Sequence, residues 1–215
     1  MLIYPESMDI AAKYDRAAAR WDEKLSQLGY THAYRQLIQA HTNATHPVLD
    51  AGTGTGGFAC AWLSEGGSRD LTLLDPSDRM LSKAQDRIKG AGTLPRIVQS
   101  TLERFEPDTR FGTVLAAHVI EHCVNPADAF VRMASWLSPG GRLILVASKP
   151  HWCNWLIWLR YRHNWFDASQ IAALAHNAGL TRTDTHDFTA GPPSRTSRGY
   201  IFTKPKKEEP CSSHM

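Results

Sequence analysis

Residues 48–59 read VLDAGTGTGGFA, and this stretch decides the fold. Val48 and Leu49 make a short buried strand, Asp50 ends it, and Gly52, Gly54 and Gly56 alternate through a tight turn. Residues 58–63 then form the first turns of a helix. Glycine is required where the backbone takes positive φ, or where a ligand approaches main-chain atoms with no Cβ in the way. A glycine-rich turn running from a strand into a helix N-terminus is a nucleotide site in outline. The turn satisfies two patterns at once. Gly52, Gly54 and Gly57 match G-x-G-x-x-G, the dinucleotide fingerprint, which is weak on its own. Asp50 with Gly52, Gly54 and Gly56 matches D-x-G-x-G-x-G, where a carboxylate at the strand tip repels phosphates but pairs with a cationic amino group.

On the C-terminal side the alternation of elements is regular. A strand at 71–74 ends in Asp75, and a helix follows through Met80, Leu81, Ala84 and Ile88 to Gly90. A strand at 96–99 comes next, and after Phe111 a strand at 113–117 leads into His118-Val119-Ile120-Glu121-His122-Cys123. Asn125 caps the next helix, with Pro126 at its first position. That helix is expected to stop at Pro139-Gly140-Gly141, before an apolar strand at 143–147. Asp167 and Gln170 have capping-box spacing at the start of another helix, which ends near Gly179. Strands around 183–188 and 199–202 close the chain, joined by the turn-rich Gly191-Pro192-Pro193-Ser194-Arg195. Strands alternating with helices predict a mostly parallel sheet with helices on both faces.

On the N-terminal side, residues 9–40 carry apolar side chains at three- and four-residue spacings, with a break at Gly29. Two helices thus precede the first strand as a cap over residues 1–45. The whole reads as one domain over residues 1–204 with a flexible tail at 205–215. Asp75 stands 23 residues after Gly52, placed to accept hydrogen bonds from ribose hydroxyls. The alternative is an ordinary helix-capping Asp.

Composition narrows the class. The 215 residues are 42% hydrophobic and 21% charged, with net charge +3, as in an ordinary folded protein. The mild basicity fits an anionic partner without demanding one. Cys60, Cys123, Cys153 and Cys211 are scattered, so neither a disulfide framework nor a zinc cluster is indicated and a reducing, cytoplasmic setting is expected. No apolar run reaches the roughly 18 residues that span a bilayer, and MLIYPESMD has no basic n-region of a secretory signal.

The set VLDAGTGTG, LTLLDPSDRML, FGTVLAAHVIEH and LSPGGRLIL resembles the class I S-adenosylmethionine-dependent methyltransferases, especially the group containing ubiquinone/menaquinone and phospholipid N-methyltransferases. The resemblance covers residues 11–146. It implies a Rossmann-like, seven-stranded α/β sheet with its last strand antiparallel, and S-adenosyl-L-methionine as cofactor. By that likeness Asp50 organises the glycine loop near the amino-acid end of the cofactor, and Gly52, Thr53 and Gly54 supply backbone contacts. Asp75, with Pro76 beside it, holds the ribose. Met80 packs on the adenine, Thr101 and Leu102 lie along its edge, and His118 sits by the methionine moiety. Tyr14, in AAKYD, corresponds to an aromatic that closes over the cofactor. Ser100 and Gly112 depart from the pattern, since many relatives carry Asp at both. A dehydrogenase using the same loop and a noncatalytic binding module are the rival functions.

His118, Glu121 and His122 spell H-x-x-E-H, but the string follows an apolar strand rather than lying inside a helix, which disfavours a zinc hydrolase. A divalent ion at Glu121 and His122 ranks below a hydrogen-bonded, structural His122 with only His118 facing the cofactor, and no metal is assigned. His118 is the expected general base, because methyl transfer can require removal of one proton from the acceptor. Residues 149–166, KPHWCNWLIWLRYRHNWF, form an aromatic region, with 149–180 expected to cover the acceptor. Trp152, Trp155 and Tyr161 are the candidate acceptor contacts. A pocket for a small, apolar or lipid-like acceptor ranks first and peripheral membrane contact through 151–166 second. Core packing follows, and nucleic acid is last, there being no extended basic stripe. Oligomeric state is not legible.

Overall fold

The computed structural model describes residues 26–41, 46–150 and 165–206. In chain order its elements are α1 (Tyr30–Gln39), β1 (Val48–Ala51), α2 (Gly57–Ser64), β2 (Leu71–Asp75), α3 (Asp78–Gly90), β3 (Arg96–Gln99), β4 (Phe111–Ala117), a 3-10 turn (Ile120–His122), α4 (Pro126–Trp136), β5 (Leu137–Ser148), α5 (Ala168–Asn177), β6 (Thr181–His186), α6 (Gly191–Thr196) and β7 (Ser197–Thr203). The strands form one seven-stranded sheet in the order β3-β2-β1-β4-β5-β7-β6. Strands β1 to β5 pair in parallel, and β7 runs antiparallel to both β5 and β6. This is the architecture that the strand–helix alternation predicts.

Side chains alternate across the sheet and so divide the core in two. Leu49, Ala51, Leu74, Val114, Leu143 and Leu145 face one cluster with Phe130 and Met133 of α4. Val48, Leu71, Leu73, Leu115, Ile144 and Val146 face the other, with Leu37, Ile38, Phe58 and Trp62. Burial on both faces is why β1 and β2 read as near-continuous apolar runs. The chain order reverses between β1 and β4, with β2 and β3 to one side and β5 to the other. Open α/β sheets leave a crevice at such a reversal, outside the carboxyl ends of the strands.

Several caps match their sequence signals. The Asn125 side chain accepts from the N–H groups of Ala127 and Asp128, with Pro126 at the first helical position. Asp167 and Gln170 make both bonds of a capping box. Gly29 takes φ 86° immediately before α1, as the predicted break requires.

Three boundaries differ from expectation. α4 ends at Trp136 and β5 begins at Leu137, so Pro139-Gly140-Gly141 lies inside the strand rather than stopping the helix. The register slips there between Phe111 and Thr113, and the Gly140 N–H donates to the Lys204 carbonyl. A bulge tolerates a proline that a regular ladder cannot. Second, residues 191–196 form a helical turn instead of a loop. Prolines preset the φ of a first turn whose N–H groups lack helical partners anyway. Third, β6 covers Thr181–His186 and stops short of Phe188.

Candidate active site

Asp50 and Asp75 in β1 and β2, and His118 directly after β4, stand at the carboxyl ends of three neighbouring strands. Gly52, Gly54 and Gly56 have φ of 67°, 53° and 78°, whereas Gly57 is the first residue of α2. The alternating pattern that begins with Asp50 is therefore the one the backbone uses. Each glycine has its own reason. A Cβ at Gly52 would lie 2.4 Å from Val119 Cγ2, one at Gly56 would lie 3.1 Å from the Ala84 Cα, and one at Gly54 would meet nothing within 4 Å. Gly52 and Gly56 allow close packing, and Gly54 leaves an open, Cβ-free approach.

Asp50 is 1% exposed. Its Oδ2 accepts from Thr53 Oγ1 at 2.6 Å. Burial pushes the carboxyl up to about 7, against the hydrogen bonds from Thr53 and from the Ala59 backbone. Asp75 is held by two main-chain donors, Gly54 N–H to Oδ2 and Ser77 N–H to Oδ1, both at 2.9 Å. It is not the cap of α3. Ser77 is, accepting from the Met80 N–H. Asp75 thus locks the glycine loop to the tip of β2, and a carboxylate has lone-pair sites for hydroxyl donors besides.

Four of the other expected cofactor residues, Pro76, Met80, Thr101 and Leu102, lie among the described residues. Pro76 is exposed, and its carbonyl accepts from Gln99 Nε2. Met80 is buried at the start of α3 and belongs to neither apolar cluster. The Thr101 carbonyl accepts from Ser100 Oγ and closes the turn after β3. Leu102 packs into the core. Tyr14, Trp152, Trp155 and Tyr161 lie outside the described residues.

His118 is the one non-glycine with positive φ among the described residues, at 55°. Such conformations persist only where the surroundings impose them. Here its N–H donates to the Val146 carbonyl, and its Nδ1 lies 3.1 Å from Glu121 Oε1 and 3.2 Å from Ser148 Oγ. Glu121 is 2% exposed, and its Oε1 also accepts the Ser148 N–H at 2.7 Å. Burial alone would raise this carboxyl, but the hydrogen bond from His118 and the charges of His118 and His122 outweigh it and hold it at about 2. Among the described residues no group of three or more His, Cys, Asp or Glu side chains could hold a metal ion.

A family model described as a methyltransferase domain matches residues 12–185. The chain belongs to that family. Its curated relatives include a ubiquinone/menaquinone biosynthesis C-methyltransferase of Ectopseudomonas mendocina, 32% identical over 149 residues, which span 66% of this chain and 56% of the relative. A ubiquinone biosynthesis O-methyltransferase of Rickettsia akari is 25% identical over 145 residues, 62% of this chain and 57% of the relative. The chain spans about half the length of the curated relatives it matches. Two solved structures share the fold. The N-methyltransferase NodS of Bradyrhizobium japonicum, in complex with S-adenosyl-l-homocysteine, has TM-score 0.76 at 19% identity and covers 92% of this chain and 99% of its own. The magnesium protoporphyrin IX methyltransferase of Synechocystis, with bound S-adenosylmethionine, has TM-score 0.72 at 16% identity, covering 95% and 99%.

The sequence did not single out Ser77, Tyr30, Ser148, Thr196 or Ser197 as site residues. Only Ser77 carried a local signal, standing three residues before Met80 at a helix start. The hydroxyls come together from residues far apart along the chain.

Proposed function

We propose that this protein transfers a methyl group from S-adenosyl-L-methionine to a small, apolar or lipid-like acceptor. The observation that carries the reading is the open Gly54 between two strand-tip carboxylates, with Asp75 bound to its N–H at 2.9 Å. Asp50 beside the loop disfavours a pyrophosphate and so argues against a nicotinamide dinucleotide. When bound, the cofactor supplies an activated sulfonium methyl. Asp75 holds the ribose hydroxyls, Asp50 and the main chain from Gly52 to Gly54 take the amino-acid end, and Met80, Thr101 and Leu102 bound the adenine. Pro76 flanks the ribose, and Tyr14 is the aromatic assigned to close over the cofactor.

His118 is the general base of this reading, with Glu121 fixing its ring. Two relatives are named for quinone biosynthesis, and quinones of that kind are lipid-soluble, which supports an apolar acceptor next to Trp152, Trp155 and Tyr161. The related proteins are named as C-, O- and N-methyltransferases, so the acceptor atom is this chain's own. Among the described residues no helix is long and apolar enough to cross a membrane. Membrane contact through 151–166 is read by flotation with anionic liposomes.

Isothermal titration with S-adenosylhomocysteine and with NAD tests the reading. Binding of the former, weakened about 100-fold or more in Asp75→Ala, is expected from the loss of charged hydrogen bonds worth roughly 1.5–3 kcal/mol each. NAD binding without the former overturns it. His118→Ala should lower turnover by roughly 10²–10⁴ with little change in cofactor affinity, and unaffected turnover removes His118 as base.

A further inference from the structure

One side of His118 faces a row of hydroxyls that the cofactor site does not use. Its Nε2 lies 3.5 Å from Ser197 Oγ. Ser197 Oγ lies 3.1 Å from the Tyr30 hydroxyl, which is 3.0 Å from Thr196 Oγ1. Thr196 donates to the Pro192 carbonyl at 2.9 Å. The Tyr30 ring stands edge-on to the imidazole, 5.4 Å between centroids.

The direction of these bonds follows from which groups can only accept. The Glu121 carboxylate accepts only, so His118 carries a hydrogen on Nδ1 and, when neutral, presents a lone pair at Nε2. Ser197 is the hydroxyl facing that lone pair; its Oγ also lies 3.4 Å from Thr196 Oγ1, and donation to Nε2 is the one of its hydrogen positions that a relay uses. The Thr196 hydrogen is committed to Pro192, so Thr196 and Ser197 both offer Tyr30 a lone pair at nearly equal distance. The Tyr30 hydrogen therefore has two resting places. When it points to Ser197, an unbroken donor chain runs from Tyr30 through Ser197 to Nε2. Ser197 is 0% exposed and cannot meet an acceptor directly, whereas Tyr30 is only half-buried.

We propose that Tyr30 is the acceptor-facing end of a proton relay, Tyr30–Ser197–His118, with Glu121 as the residue that positions the imidazole. The inference rests on the methyltransferase reading above and narrows the acceptor to a protic group, a hydroxyl or an N–H. As the acceptor atom forms its bond to the methyl carbon, the methyl–sulfur bond breaks with its electron pair staying on sulfur. The acceptor's proton goes to the Tyr30 oxygen, the Tyr30 hydrogen to Ser197, and the Ser197 hydrogen to His118 Nε2. The imidazolium so formed is matched by the Glu121 carboxylate.

The relay is tested on the full chain with Tyr30→Phe and Ser197→Ala. In protein carrying ¹⁵N-labelled histidine, His118 is assigned by the signal lost in His118→Gln. At the alkaline end of the stable pH range, the wild type should show the Nδ1–H tautomer. The Nε2 resonance should shift in Ser197→Ala, with S-adenosylhomocysteine affinity within about twofold of wild type. An Nε2–H tautomer, or an Nε2 signal indifferent to Ser197→Ala, overturns the relay even if the cofactor binds. A wild type that does not bind S-adenosylhomocysteine overturns the reading beneath it instead. With 1,2-dihydroxybenzene as acceptor, or any protic acceptor that yields S-adenosylhomocysteine, both variants should lose at least about tenfold in turnover at unchanged cofactor affinity. Wild-type turnover in Tyr30→Phe removes Tyr30 from the path. If no acceptor turns over, the tautomer decides.

Discussion

Replacing Gly54 and Gly52 separately with alanine divides the two tasks of the loop. Both have positive φ, 53° and 67°, where an L side chain costs roughly 1–2 kcal/mol. A Cβ at Gly54 meets nothing within 4 Å, but one at Gly52 lies 2.4 Å from Val119 Cγ2 and 3.0 Å from Val119 Cβ. Gly54→Ala therefore costs only the backbone contribution, a fall in Tm of roughly 2–8 °C for a chain of this length. Gly52→Ala adds overpacking of roughly 1–3 kcal/mol, and its total is about 2–5 kcal/mol. Combining Gly52→Ala with Val119→Ala should return the overpacking part. Affinity follows the opposite order relative to stability cost. The new methyl of Gly54→Ala stands in the open approach and should weaken S-adenosylhomocysteine at least about tenfold, or 1.4 kcal/mol, despite the smaller change in Tm. Thermal unfolding by circular dichroism and titration calorimetry measure the two effects. If Gly54→Ala binds S-adenosylhomocysteine like the wild type, the loop is not the floor of the cofactor site. If Gly52→Ala unfolds no earlier than Gly54→Ala, the contact with Val119 is not what demands glycine there.

Three further outcomes are expected. Burial moves the Asp50 carboxyl from 3.8 to about 7, so the folded chain keeps a proton that the unfolded chain has released, and stability falls as pH rises between those values. At 1.36 kcal/mol per pH unit the wild type loses roughly 2–3 kcal/mol from pH 5 to pH 7. Asp50→Asn has nothing to ionise, so its Tm relative to wild type should rise by roughly 5–10 °C over that interval; a constant difference means that the carboxylate is not desolvated. Glu121 has the opposite sign, because its carboxyl is held at about 2 against an ordinary 4.5. The stability it contributes is present above 4.5 and lost as pH falls toward 2, and acid unfolding should be shallower over that range in Glu121→Gln. Asn125→Ala leaves the N–H groups of Ala127 and Asp128 without their acceptor, which costs about 1 kcal/mol and a Tm decrease of roughly 2–4 °C.

Much of the scaffold was legible because local rules govern it. Asn125 before Pro126, Asp167 before Gln170 and the break at Gly29 are decided within one helical turn, and each stands where its residues predict. The bulge at Pro139-Gly140-Gly141 was not legible. Proline and two glycines after an apolar helix look like a stop, and only pairing with β4 and with the segment after β7 turns them into strand. The helical turn at Gly191–Thr196 was hidden for a similar reason, since its prolines suit a turn and a first helical turn equally well.

The sequence by itself determined the α/β alternation, the carboxylates at the tips of β1 and β2, and the loop between strand and helix. Those features depend on residue type and short-range spacing. Tertiary structure decided which of the two overlapping glycine patterns is used, because only packing against Val119 and Ala84 shows what Gly52 and Gly56 are for. It also decided the surroundings of His118. Glu121 is three residues away and could be guessed, but Tyr30, Thr196 and Ser197 reach it from 88, 78 and 79 positions distant. No spacing rule operates over such separations, since the crossing of α1 over the start of β7 is fixed by how the whole sheet packs.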